Sequence, residues 1–447
     1  MKKILPYILI IAIIVILVVV RCGRKGEGKL RDGNNHVVEN TKAANNLLPP
    51  DTKPLAVATP IVNIYIENSG SMNGFVTSNS EFKDALGKLL VKTDNEYKGT
   101  HLYFVNSDVV DTGSGDDFTG FLAQLNPSTM QKGHTESTNI NHIFDLLLSK
   151  TSKNMVSVLF SDCVYSIKGD VKSQLVNAKN ATMSAFQQAM KKNPSLAVLI
   201  MQCQSRFYGR YYDRNNEGSP CNGKRPYYII MMGDYAMLNK MNQDLDLTAS
   251  STGIPGLQHK YLLSSQSWTL NESTAHVITS DFNNAKNIKP ASDNLNIKSI
   301  EIDRSAGNLQ LAFALGVKHL FADESYLLDK ANYEIEPADF KLVRTQAIDK
   351  SSTAWGDCQG FEHPFALKLT APSNSVSPQI MIRLKNNLPT WLTKANIDDD
   401  AGLGSQMGTT FASNTFGIQW MIEGIYEAFV MKNKNMFELI INIDSFN

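Results

Sequence analysis

The sequence predicts an α/β fold: a doubly wound, mostly parallel sheet followed by a β-rich second domain, behind an N-terminal transmembrane anchor. Three observations lead there: apolar strands alternating with amphipathic helices from residue 61 to about 250, a change past that point to extended segments with few helices, and an apolar run at residues 4–20. The chain has 447 residues, 43% of them hydrophobic, enough to build cores in two domains. Its 43 Lys and Arg balance 43 Asp and Glu. Without net charge or a dense basic stripe there is no field to hold a polynucleotide, so no nucleic acid partner is expected.

After Met1, Lys2 and Lys3, residues 4–20 are apolar apart from Pro6 and Tyr7. Such a run is the short end of a membrane span. Val18, Val19, Val20 and Arg21 lead directly to Cys22 without the small residues of a secretory cleavage site, so residues 1–21 read as an uncleaved single-pass anchor. Lipid attachment at Cys22, as in bacterial lipoproteins, is the alternative, and Arg21 departs from that pattern. Arg21, Arg24, Lys25, Lys29 and Arg31 draw the body inward by charge. The MKK start, the cysteine at the boundary and the capacity of long domains to cross regardless of flanking charge draw it outward. The outward reading, a periplasmic or extracellular body, is taken. Residues 22–60, with Pro49, Pro50, Pro54 and Pro60 and no apolar period, form a flexible tether.

Residues 61–250 open with a strand at 61–67, then a helix at 81–92 whose Phe82, Leu86, Leu89 and Leu90 share one face. A strand at 101–106 and helices at 118–125 and 140–149 follow. The strand at 155–161 is almost continuously apolar, as for burial on both faces. A long helix at 172–192 leads to strands at 196–201 and 227–232 and a helix at 235–245. Residues 206–225, rich in Arg, Tyr, Asn and Gly, stand where a crossover helix is expected and read as an irregular surface insertion. In the second domain, 251–447, strands are expected at 295–302, 309–317, 341–346, 366–370 and 379–384. Ile418, Met421, Ile422, Ile425 and Phe429 recur at helical spacing, and Phe437, Leu439, Ile441 and Ile443 alternate as a last strand.

The chemistry concentrates at the end of the first strand, which runs into Glu67, Asn68, Ser69, Gly70, Ser71 and Met72. In open α/β sheets ligands bind at this carboxyl edge. Ser69 and Ser71 lie two apart in the following turn, and Glu67 adds a carboxylate. Ser137, Thr138, Asn139 and Ile140 open a later helix, and Ser161 with Asp162 ends a later apolar strand. Hydroxyls and carboxylates without His or Cys suit a small hard cation such as Mg²⁺ or Mn²⁺.

These pieces resemble the metal-ion-dependent adhesion site of the von Willebrand factor type A family, built from DxSxS, a separate Thr and an Asp after a later strand. Glu67, Ser69 and Ser71 match DxSxS with Glu in place of the first Asp, Thr138 matches the threonine, and Asp162 the later aspartate. The resemblance covers residues 61–245 and implies a Rossmann-like sheet and a divalent ion. It also implies a protein partner whose carboxylate completes the ion's shell. Nothing in it implies bond breaking. Ordinary turn and cap roles for the same residues are the bland alternative.

Other candidates are weaker. Ser69 as a nucleophile lacks GxSxG, and His134 and His142 read as surface or cap residues. The run Asp398, Asp399 and Asp400 lacks EF-hand spacing and reads as a solvated acidic turn. Tyr208, Tyr211 and Tyr212 with Arg206, Arg210 and Arg214 either meet a partner or cover the sheet. The five cysteines contain no CxxC; Cys203 with Cys221, or Cys163 with Cys203, would bridge in an exported body, and buried thiols are the other possibility. The favoured function is metal-assisted, non-enzymatic protein binding at a bacterial cell envelope. The rivals are a structural assembly subunit with a silent metal site and a hydrolase using the same cleft.

Overall fold

The computed structural model describes residues 58–97, 99–135, 139–167, 169–248, 252–280, 287–301, 305, 307–316, 322–358, 360–401 and 414–447. The expected anchor at residues 1–21 and the tether up to residue 57 lie outside them. Among the described residues no helix is long and apolar enough to cross a membrane.

The first layer begins with β1 (Ile61–Glu67), a 3-10 turn (Gly70–Met72), α1 (Asn73–Val76) and α2 (Glu81–Glu96). Ser80 caps α2 by accepting the Lys83 amide at 3.3 Å, and Phe82, Leu86, Leu89 and Leu90 form its buried face. Next come β2 (Thr100–Val105), β3 (Val109–Asp111), α3 (Phe118–Gln124), α4 (Ile140–Lys150), β4 (Met155–Ser161) and α5 (Val171–Lys192). β5 (Leu196–Tyr212), β6 (Gly218–Asp234), α6 (Tyr235–Leu245) and β7 (Leu257–Ser264) complete a seven-stranded sheet of order β3-β2-β1-β4-β6-β5-β7.

The sheet is mixed, which corrects the expectation of a mostly parallel one. β1 is parallel to β2 and β4, while every other pairing in the sheet is antiparallel. The cause lies in residues 206–225, which are not an irregular insertion. They are the outer half of a hairpin paired without interruption from Leu196 opposite Asp234 to Tyr212 opposite Gly218. Asp213 closes its turn by accepting the Asn215 and Glu217 amides, each at 2.9 Å. A hairpin is necessarily antiparallel, and its return strand β6 inserts beside β4.

Winding starts at β1, passes to β2 on one side and returns across it to β4 on the other. Right-handed crossovers therefore put α2 and α4 on opposite faces. α3 and α6 pack with α2, and α5 packs with α4, which leaves β1 and β4 buried on both faces. Each Leu, Ile or Phe so buried contributes about 1.5–3 kcal/mol.

The later segments include α7 (Trp391–Ala395), α8 (Ile418–Val430) and short or antiparallel strands: β8 (Trp268–Thr269), β9 (Ala275–Val277), β10 (Asn287–Pro290), β11 (Ile297–Glu301), β12 (Asn308–Leu315), β13 (Tyr333–Glu336), β14 (Lys341–Ala347), β15 (Phe365–Pro372), β16 (Gln379–Lys385), β17 (Asn396–Ile397), β18 (Thr415–Phe416) and β19 (Asn435–Asn442). Sheets β14-β15-β12-β9 and β13-β16-β19-β8 share one core. Leu309, Leu311 and Phe313 of the first, with Ile380, Ile382, Leu439 and Ile441 of the second, supply its alternating inward residues. Several pieces past residue 250 belong to the first layer instead: β7 forms its edge, Trp391, Leu392, Ala395 and Phe416 join its core, and α8 packs on α5, with the Phe186 and Phe429 rings 6.1 Å apart. At this crossing Gly424 meets the Lys179 carbonyl so closely that a Cβ would lie 2.5 Å from it.

The described cysteines Cys163, Cys203, Cys221 and Cys358 are free and buried. Cys203 stands opposite Tyr227 and Cys221 opposite Gly209, so the hairpin register holds Cys203 and Cys221 about 20 Å apart, too far to bridge.

Candidate functional site

β1 and β4 are neighbours at the point where the winding reverses, the position at which open α/β sheets leave a crevice beyond their strand ends. Ile66 pairs with Phe160, so Glu67 and Ser161 emerge side by side. Glu67 is buried, and its two carboxylate oxygens take separate hydroxyls: Oε1 accepts from Ser69 at 2.6 Å, and Oε2 accepts from Ser161. Ser69 Oγ also lies 3.0 Å from Ser71 Oγ.

The loop carrying these serines is held from three directions. Asn68 donates to the carbonyls of Met130 at 2.9 Å and Lys132 at 2.7 Å. Met72 is wholly buried, and its sulfur accepts the Asp162 amide at 3.2 Å. Behind the loop Gly74 packs against Phe207 of the hairpin, where a Cβ would sit 2.3 Å from the ring. Only glycine admits this approach.

Asp162 is 4% exposed. Burial pushes its carboxyl up, while hydrogen bonds from Ser71 and the Val164 amide and the charge of Arg225 draw it back down. Cys163 then turns the chain through a left-handed conformation, φ 54°, and donates its amide to Ser161 Oγ at 2.8 Å. Ser161 thus couples the two strand ends.

Of the five candidate residues, Glu67, Ser69, Ser71 and Asp162 are brought together at one strand edge. Thr138 lies outside the described residues. Its neighbour Asn139 caps α4 by accepting the His142 amide at 3.2 Å. His142 Nε2 is 2.8 Å from the Ser107 carbonyl, and the hydrogen-bond partners of Ser69 are Glu67 and Ser71.

Arg225, Tyr211 and Asp400 form the part of the site that sequence reasoning missed. Arg225 is 2% exposed and stacks on the Tyr211 ring with its guanidinium carbon 4.5 Å from the centroid. The Tyr211 hydroxyl donates to Asp400, which also accepts the Arg214 amide at 3.0 Å. Asp398 and Asp399 are exposed, as expected of a solvated acidic turn, but Asp400 is fully buried, which corrects that expectation for Asp400 alone; burial raises its carboxyl, against the Tyr211 and Arg214 hydrogen bonds. Of the aromatic and basic patch, Tyr211 covers the sheet, while Tyr208 stays exposed. One signal was available: Arg206, Tyr208 and Arg210 alternate with Phe207, Gly209 and Tyr211, a strand period that the Gly- and Asn-rich surroundings masked.

The buried charge is unbalanced. Glu67, Asp162, Asp213 and Asp400 are buried carboxyl groups, and Arg225 is the one buried cationic side chain among the described residues. Hydrogen bonds hold each of these carboxyl groups, and the charge of Glu67 and Asp162 would favour a further cation at the strand edge. Among the described residues no three His, Cys, Asp or Glu side chains form a metal cluster, so a cation here would rely on hydroxyls. The Ser69 to Ser71 separation of 3.0 Å suits that role. Neighbouring ligands on octahedral Mg²⁺, with bonds of about 2.1 Å, stand about 3.0 Å apart. The donor set therefore fits a small hard ion. No family model matches the chain, and no curated protein or solved structure matches it.

Proposed function

We propose that this chain is a membrane-tethered binding module of the von Willebrand factor type A kind, holding a protein partner's carboxylate through Mg²⁺ or Mn²⁺ at a bacterial cell envelope. The observation that carries it is the pair of hydroxyls 3.0 Å apart at the switch point of a sheet, beside an excess of buried carboxyl groups. Ser69 and Ser71 would hold the ion through oxygen lone pairs, their protons still directed to carboxylates. Asp162 supplies charge, Glu67 orients the hydroxyls, and Thr138 is the remaining ligand. The bound ion supplies a Lewis-acidic position that an acidic side chain of the partner fills.

A second reading, a structural assembly subunit with a silent site, is favoured by the closure of Glu67 on itself. Both of its oxygens are already taken by Ser69 and Ser161. Calorimetric titration of the full chain in detergent with Mg²⁺ and Mn²⁺ separates the two. Binding at or below about 1 mM, abolished by Ser71→Ala and by Asp162→Ala, is the result expected of the binding module. Unchanged heats in both variants would leave the structural reading.

A further inference from the structure

A second cavity, remote in sequence from the serine loop, lies between β5, β7 and α7, with a volume of about 200 Å³. Gln202, Gln204, Gln258, His259, Trp391 and Lys394 line it, with Pro226 and Ala395 as apolar wall. Gln202 and His259 are cross-strand partners and so face the same side of the sheet. The imidazole is fixed on two sides. Its Nδ1 lies 2.7 Å from Asp323 Oδ2, and its ring lies flat on Trp391, centroids 5.1 Å apart and planes within 4°. Asp323 is itself anchored, accepting the Lys260 amide at 3.0 Å. A carboxylate that holds Nδ1 orients the ring and leaves Nε2 as its working edge. That nitrogen has no partner among the described residues.

Charge and shape identify what would enter. No acidic side chain lines the cavity, and Lys394, which is exposed, makes no ion pair among the described residues. Gln202 gives its amide to the Tyr228 hydroxyl at 3.3 Å, which leaves its carbonyl oxygen for a ligand. An apolar cavity of about 150 Å³ accepts a benzene ring. The present volume takes a ring together with one small anionic group. A bare phosphate would leave the wall of Pro226, Ala395 and the indole uncovered, a surface that a ring fills.

We infer that this cavity binds a small, flat carboxylate, its anionic end on Lys394, its ring against Pro226, Ala395 and Trp391, and its edge beside His259 and the glutamine amides. The inference is independent of the metal reading. The test uses the full chain in detergent, with benzoate as probe and tryptophan emission as readout. Benzoate is expected to bind with Kd below about 1 mM, and the isosteric neutral benzamide and inorganic phosphate at least about tenfold more weakly. Lys394→Met, a change at an exposed side chain, should weaken benzoate at least about tenfold with an unchanged circular dichroism spectrum, and His259→Ala should weaken it too. Equal affinity for benzoate and benzamide, phosphate binding as tight as benzoate, or indifference to Lys394→Met would overturn the inference. So would an emission change that persists in Trp391→Phe, because the probe would then sit elsewhere.

Discussion

Glu67 owes its place to one methylene. A carboxylate at the end of β1 must reach Ser69 in its own loop and Ser161 on the neighbouring strand, and the longer side chain satisfies both hydroxyls at once. Glu67→Ala would leave two buried hydroxyls without their acceptor, each costing about 1–3 kcal/mol; thermal melting of the metal-free protein should show the loss, and an unchanged Tm would mean that the hydroxyls find other partners. Asp162 carries the opposite balance. Its carboxyl is raised above its unfolded value, so the folded state holds the proton longer, and ionisation costs stability as pH climbs from the unfolded to the folded pKa. Metal-free Asp162→Asn should therefore gain on the parent as pH rises above the ordinary aspartate value of about 4, read as a widening difference in denaturant midpoint. A constant difference would contradict the burial argument. Glu67, Ser69, Ser71 and Asp162 were legible from sequence because a strand followed by a short loop fixes their spacing. Arg225, Tyr211 and Asp400 were not, since Tyr211 and Asp400 stand 189 residues apart and nothing local announces their pairing.

The hairpin is the element that composition disguised. Its base is apolar and read as two buried strands, but its outer half carries Arg, Asn and Gly, residues that favour turns. The alternation of Phe207, Gly209 and Tyr211 decides the matter, because Phe207 and Gly209 lie against Gly74 of α1 and Tyr211 is buried, while Arg206, Tyr208 and Arg210 stay accessible. Cross-strand pairing over the whole length then overrides turn propensity. The same contact couples the hairpin to the site. Gly74→Ala drives a methyl into Phe207, which is already set edge-on against Phe75 at 4.9 Å. Overpacking there should cost about 1–3 kcal/mol and, on the proposed function, weaken divalent-ion binding by displacing Ser71. Replacing Phe207 with Leu in the same protein should recover part of the stability; no recovery in urea unfolding would show that the strain lies elsewhere.

At the scale of the whole molecule the chain returns on itself. Residues 391–401 and α8 come back from the β-rich sheets to the first layer, where Asp400 joins the buried polar network and α8 covers α5. Strand and helix rhythm revealed the α/β layer and the β-rich part; the return could not be read, because an amphipathic helix shows that it has an apolar face without showing what covers it. Gly424 marks the contact. Gly424→Ala would place its methyl against the Lys179 carbonyl, a backbone group with no rotamer to escape into, so α8 and α5 should separate at a cost of about 1–3 kcal/mol. Faster amide exchange in both helices would report it, and unchanged protection would argue against a tight crossing.

The most direct test of the binding module is electron paramagnetic resonance of Mn²⁺ added to the full chain in detergent. Loss of the free-ion signal in proportion to protein, restored by Ser71→Ala and by Asp162→Ala and competed by excess Mg²⁺, is the predicted result. A free-ion signal undiminished at millimolar Mn²⁺, or diminished equally in both variants, would contradict an ion held by Ser69, Ser71 and Asp162.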